Sequence, residues 1–137
     1  MDVLPIRLSP GDDLRRALEA ALANAGHEAG FVLAGIGSLS RARLRFAEVD
    51  DAPIRTGAFE ILTLCGSVSP EASHLHATLA DADGAVVGGH VAYGCVVRTT
   101  AEVLLACLGA WRFSREHDAD TGHDELVVRH RKAEGGS

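Results

Sequence analysis

Three of the chain's seven histidines, His74, His76 and His90, fall within the stretch SHLHATLADADGAVVGGHV, which runs from Ser73 to Val91. Neutral imidazoles bind divalent transition metals, and three of them with one position left open are the ligand set of a catalytic zinc centre. In an extended strand, residues two apart share a face with their Cα atoms roughly 6.6 to 6.8 Å apart, so the rings of His74 and His76 can converge on one ion. His90 joins them only in a compatible register. A three-residue loop of Ala82, Asp83 and Gly84 pairs Asp81 with Ala85 and sets His90 opposite His76, whereas a two- or four-residue loop turns it to the other face. Gly84 stands where such a loop takes the left-handed conformation. A bulge at Gly88 and Gly89 is a second route to the same face. Alternating polar residues on an exposed strand also produce HxH, so the pair is a weak sign and the third histidine in register a better one.

Hydrolytic chemistry at such a centre needs a positioned acid or base. Glu60, Glu102 and Asp81 are the candidates, and the sequence does not place them. Glu60 interrupts the otherwise apolar AFEILTLCGSV and has to be paired, ligated or solvated there. A cupin-like reading lacks the glutamate expected soon after HxH, with Asp81 standing nearest. His117 and His123 lie among Asp118, Asp120 and Asp124 and read as solvated; His27 follows a helix stop and His130 ends a strand. GIGSL lacks the third glycine, and the Lys with Ser or Thr, of a phosphate loop. No serine has a nucleophile-elbow context.

The elements that must position the histidines follow from periodicity. SPGDDLRRALEAALANAG predicts a helix, with Ser9 as cap, Pro10 in the first position, Leu14, Leu18, Ala21, Leu22 and Ala25 on one face, and Gly26 as the stop. GFVLAGIGSLS predicts a buried strand ending in a glycine-rich turn. RARLRFAEV alternates, with Ala42, Leu44 and Phe46 on one face. Its Arg41, Arg43 and Arg45 stripe could meet an anionic partner, but a polar face is what an antiparallel strand exposes in any case. AFEILTLCGSV predicts a central strand, and AEVLLACLGAWRF a strand or a short helix followed by one. SREHDADTGHDE reads as a surface loop, LVVRH as a closing strand, and 131–137 as a disordered tail after a single domain over 1–130. The sum is an α+β fold: one N-terminal helix, a possible second short one, and about six or seven strands in a central, mainly antiparallel sheet. One helix covers part of such a sheet, which suggests that another subunit covers the rest.

At 137 residues and 47% hydrophobic, the chain can bury one sizeable core. A net charge of −6 disfavours a surface built to neutralise phosphates, hence DNA binding by this domain alone. The start, MDVLPIRLSP, lacks the pattern of a signal peptide, and no apolar run approaches the ~20 residues of a membrane span. A cytoplasmic protein without a membrane partner is expected. Cys65, Cys95 and Cys107 are widely spaced inside apolar stretches and read as buried thiols.

GIGSLSRARL, FEILTLCGSVS, HLHATLADADGAVVGGHV and GCVVRTTAEVLLA together resemble the plants and prokaryotes conserved domain, over about Val3 to Val128. This domain follows AT-hooks in plant nuclear proteins and stands alone in bacteria and archaea. The resemblance implies a homotrimeric α+β domain whose three histidines, here His74, His76 and His90, form a site for a divalent transition metal such as zinc. In the plant members it also mediates association with other proteins. The Arg-Gly-Arg-Pro core of an AT-hook is absent from this sequence, so DNA binding does not carry over. The expected function is thus a homotrimeric metal-binding regulatory or protein-interaction module of unassigned activity, with a metal-dependent enzyme acting on a small molecule, or a DNA-associated protein, as alternatives.

Overall fold

The computed structural model describes residues 1–132. Eight strands and one helix follow the order β1 (Asp2–Leu8), α1 (Leu14–Asn24), β2 (Gly30–Arg45), β3 (Ile54–Val68), β4 (His74–Ala80), β5 (Val86–Val91), β6 (Val96–Cys107), β7 (Trp111–Asp118) and β8 (His123–His130). Six of them form an antiparallel sheet in the order β1-β6-β2-β3-β4-β5, and β7 and β8 form a separate hairpin. The α+β class with a mainly antiparallel sheet is therefore as expected, and the described residues contain no second helix.

β2 closes the sheet on itself. One of its edges pairs with β3, while the other pairs first with β6 and then, at Leu44 and Arg45, with Val91 and His90 of β5. Strands β2, β3, β4 and β5 thus make a ring whose interior holds Leu39, Leu44, Phe59, Ile61, Leu79 and Val91, all buried. Alternation sends their neighbours outward.

The glycine-rich segment expected to turn between two strands instead lies within the single strand β2. Its pairing with β6 shifts register between Val32 and Ala34, between Gly37 and Leu39, and between Leu39 and Arg41. The glycines mark bulges that bend one long strand, so that it can serve β6 and β5 in succession.

Helix α1 starts later than Ser9 and Pro10 suggest, because Gly11 takes φ 90° in a preceding turn. Asp13 is the N-cap, and its Oδ1 accepts the Arg16 N–H at 3.0 Å. Gly26 ends the helix as expected: its N–H donates to Ala23 O and that of His27 to Leu22 O, the paired bonds of a Schellman motif. Leu14, Leu18 and Leu22 are fully buried, in one core with Val103 and Leu105 of β6.

Most of SREHDADTGHDE is strand rather than loop. β7 and β8 pair from Trp111–His130 to Asp118–His123 around a four-residue turn at 119–122. Polar composition hides this hairpin, because it offers few apolar residues to read: Phe113 anchors it edge-on against Phe31 of β2, and polar contacts such as Arg129–Glu116 at 2.9 Å span its two strands. Of the tail expected at 131–137, residues 133–137 lie outside the described part. Arg131 is tied down, its N–H donating to Ala110 O and its guanidinium pairing with Glu28 at 3.2 Å.

Candidate metal centre

The hairpin between β4 and β5 sets the geometry. His76 pairs with His90, Ala77 with Gly89 and Ala80 with Val86. The Asp81 N–H donates to Ala85 O and the Gly84 N–H to Asp81 O, closing the loop over Ala82, Asp83 and Gly84. Gly84 has φ 80°, the left-handed value the turn requires. This is the three-residue register that puts His90 on the face of His74 and His76. The alternative bulge at Gly88 and Gly89 is absent, since the β4–β5 pairing runs without a shift. Gly89 has another use: a Cβ there would stand 2.7 Å from Arg45 O, so its lack of side chain is what lets β5 approach β2.

The three rings converge on the outer surface of the ring of strands. His76 Nε2 lies 3.2 Å from His74 Nε2 and 3.1 Å from His90 Nδ1, and all three ligand atoms fall within 4.8 Å of one another. Two nitrogens each ~2.1 Å from a shared ion stand about 3.0 Å apart at a right angle and about 3.4 Å at the tetrahedral angle, so the observed spacings fit a common metal. Burial lowers the His74 imidazole below its ordinary 6.5; His76 and Arg115 push the same way and Glu125 opposes them. Burial, then Arg45, His76 and His74, lower His90. Both shifts favour the neutral imidazole, the form that ligates.

None of the three proposed proton acceptors joins this cluster. Glu60 is exposed and pairs with Ala80, four residues or roughly 13 Å along β4 from His76. Glu102 pairs with Ile36 across β6 and β2, away from the histidines. Asp81 holds the hairpin loop, its Oδ1 accepting the N–H groups of Asp83 and Ala85. Two groups that the sequence reading passed over do stand at the site. Glu125 of β8 and Arg115 of β7 share a hollow of about 280 Å³ with His74 and His76, brought there by the hairpin that composition disguises.

Cys65 corrects the expectation of three buried thiols. Cys95 and Cys107 are buried, but Cys65 is exposed and pairs directly with His76. Its alternation with Thr63 and Ser67 is the sequence signal that it faces outward.

Fold and site define a small α+β domain, a partly closed antiparallel sheet with one capped helix against its core and three convergent imidazoles outside. The chain belongs to the Plants and Prokaryotes Conserved (PCC) domain family, whose pattern residues 1–109 match. It is similar to the hypothetical protein of Salmonella cholerae-suis (Salmonella enterica), with 34% identity and a TM-score of 0.91 over 96% of this chain and 95% of that one. That likeness extends into the β7–β8 hairpin, beyond the residues matched by the family. A metal-containing protein of Archaeoglobus fulgidus is 26% identical, with a TM-score of 0.76 over 93% of this chain and 94% of the other. The bifunctional protein GlmU of Synechococcus sp. (strain JA-2-3B'a(2-13)) is 44% identical over 129 residues, which are 94% of this chain and 20% of that protein. The chain spans about a fifth of the length of the curated relatives it matches.

Proposed function

We propose that this chain is a metal-binding domain that holds one divalent transition metal, zinc, through His74, His76 and His90, and that acts as a regulatory or interaction module. The observation that carries the reading is the spacing of 3.1 and 3.2 Å between His76 Nε2 and its two partners. Without a cation, His76 Nε2 can share its one hydrogen with at most one neighbour in a good bond, which leaves a second close nitrogen contact uncompensated. The metal-containing Archaeoglobus relative supports the same reading. So does the match to a fifth of a longer Synechococcus protein, which fits a module that also works inside a larger chain.

The assembly we propose is a homotrimer. Val3, Leu33, Ile36, Leu62 and Leu104 are exposed along β1, β2, β3 and β6, beside a hollow of about 540 Å³ lined by Pro5, Ala34, Gly35 and Leu104. An apolar area of this kind is what a second copy covers. Open space beside the histidines leaves room for a small molecule, so enzymatic use of the metal is the second reading; Glu125 is then the carboxylate in place to handle a proton. DNA association has less support, given the net charge of −6. Among the described residues no helix is long and apolar enough to cross a membrane.

Elemental analysis of untagged protein tests the site. About one equivalent of transition metal per chain, lost in His76→Ala, is expected; less than about a tenth of an equivalent, unchanged by the substitution, would sink the reading.

A further inference from the structure

Beside the histidines, on the side toward α1, lies a hollow of about 360 Å³. Its walls carry Arg15 of α1, Arg43 and Arg45 of β2, His74, His90 and Tyr93, with Asp50 and Asp51 from the exposed segment after β2 also in its lining. Arg15 is answered by Glu19, which leaves the guanidiniums of Arg43 and Arg45 with Asp50 and Asp51 in the lining. Arg43 and Arg45 also border a cluster suited to a divalent cation, where a bound anion offsets the gathered positive charge.

The arginines are held but not used up. Arg43 donates through Nε to Ala52 O at 3.0 Å, and Arg45 through one terminal nitrogen to Val49 O at 3.3 Å. Arg15 is committed further, to Glu19 at 3.2 Å and to Val91 O, with its guanidinium over the Tyr93 ring. Among the described residues, Arg43 therefore keeps both terminal nitrogens, and Arg45 keeps Nε and one terminal nitrogen. These are the donors that pair with a carboxylate or phosphate in a fork.

Ser73 adds an independent sign. It lines the same hollow and is buried to 7% exposure, yet among the described residues its hydroxyl has no hydrogen-bond partner. A buried hydroxyl without a partner costs stability, and native structures seldom leave one unmatched.

We propose that this hollow binds a small oxyanion, a carboxylate or phosphate group, held by Arg43 and Arg45 beside the three histidines. The proposal rests on the metal reading above, to which it adds a ligand class.

The test uses the full chain loaded with zinc, its zinc content measured first, and titrated calorimetrically with inorganic phosphate and, separately, with propionate, at constant ionic strength in chloride. One site per chain for at least one of the two probes is expected, and the probe that binds tells phosphate from carboxylate. Arg45→Gln and Arg43→Gln should each weaken that binding tenfold or more with zinc content and thermal transition unchanged, while Arg129→Gln, on β8, leaves it as it is. If Arg43→Gln fails to fold, having lost its bond to Ala52, Arg45→Gln decides. Stoichiometric zinc with no binding of either probe, or with binding that both glutamine variants keep, overturns this proposal and leaves the metal reading standing. A wild-type chain that takes up no zinc removes both.

Discussion

Cys65 and His76 face each other across β3 and β4, an exposed thiol directly paired with the histidine that touches both of its neighbours. The other two thiols are buried, and Cys95, which donates to Arg43 O, has its pKa raised by burial to about 11. Thiolate is the reactive form, so burial disfavours Cys95 and Cys107, whose pKa values it raises, and exposure leaves Cys65 the accessible thiol. In the native protein a disulfide reagent should therefore modify one equivalent quickly and the other two only on unfolding. Cys65→Ser should abolish the fast phase. Three thiols reacting together would contradict the burial of Cys95 and Cys107.

Gly88 and Gly89 are neighbours with unequal tolerance. A methyl group at Gly88 would lie 3.4 Å from Ala77 O, an ordinary contact, whereas at Gly89 it would lie 2.7 Å from Arg45 O. Gly89→Ala must push β5 off β2, and His90 is the next residue. We expect it to cost about 1–3 kcal/mol in urea unfolding and to weaken metal uptake, while Gly88→Ala costs less and keeps the metal. Equal effects would show that β5 has slack against β2.

Tyr93 ties the β5–β6 connection to α1. Its hydroxyl lies 3.0 and 2.9 Å from the two oxygens of Glu19, a carboxylate only 8% exposed and also paired with Arg15 at 3.2 Å. Tyr93→Phe removes the donor and leaves the buried carboxylate with one partner fewer. A loss of about 1–3 kcal/mol in unfolding free energy is expected; no change would mean that water replaces the hydroxyl.

The lowered pKa values of His74 and His90 give the metal-free protein a direction of pH dependence. Below about 6.5 the unfolded chain, with ordinary imidazoles, binds more protons than the folded one, so these residues make stability fall as pH drops through that value. Above it their contribution is constant. Urea midpoints compared between pH 7.5 and pH 5 should fall less in a His74→Gln, His90→Gln double variant than in the wild type. A larger fall in the variant would reverse the sign. Metal uptake should weaken over the same range, since protons compete for the ligating nitrogens.

The part of the site that could be read from the sequence is the part governed by local rules. A period of two and a glycine at the end of a three-residue loop decide that His76 faces His90, and that is the register found. What could not be read depends on neighbours distant in the chain. The glycines of β2 look like a turn until β6 and β5 are seen to need one bent strand between them. Arg115 and Glu125 reach His74 only because a polar hairpin folds back over β3 and β4. Glu60, which drew attention as a carboxylate in an apolar run, is satisfied by solvent on the outer face.

Pro5 sits in the middle of β1, the strand at the margin of the six-stranded sheet, opposite Leu104. A marginal strand can be extended by a strand of another molecule, the route by which β proteins polymerise and precipitate. Proline has no N–H to offer an incoming strand, and its ring stands in the way of one. Indefinite growth along this border is therefore discouraged by a single residue, which leaves the exposed apolar surfaces as the route for the proposed assembly of fixed size.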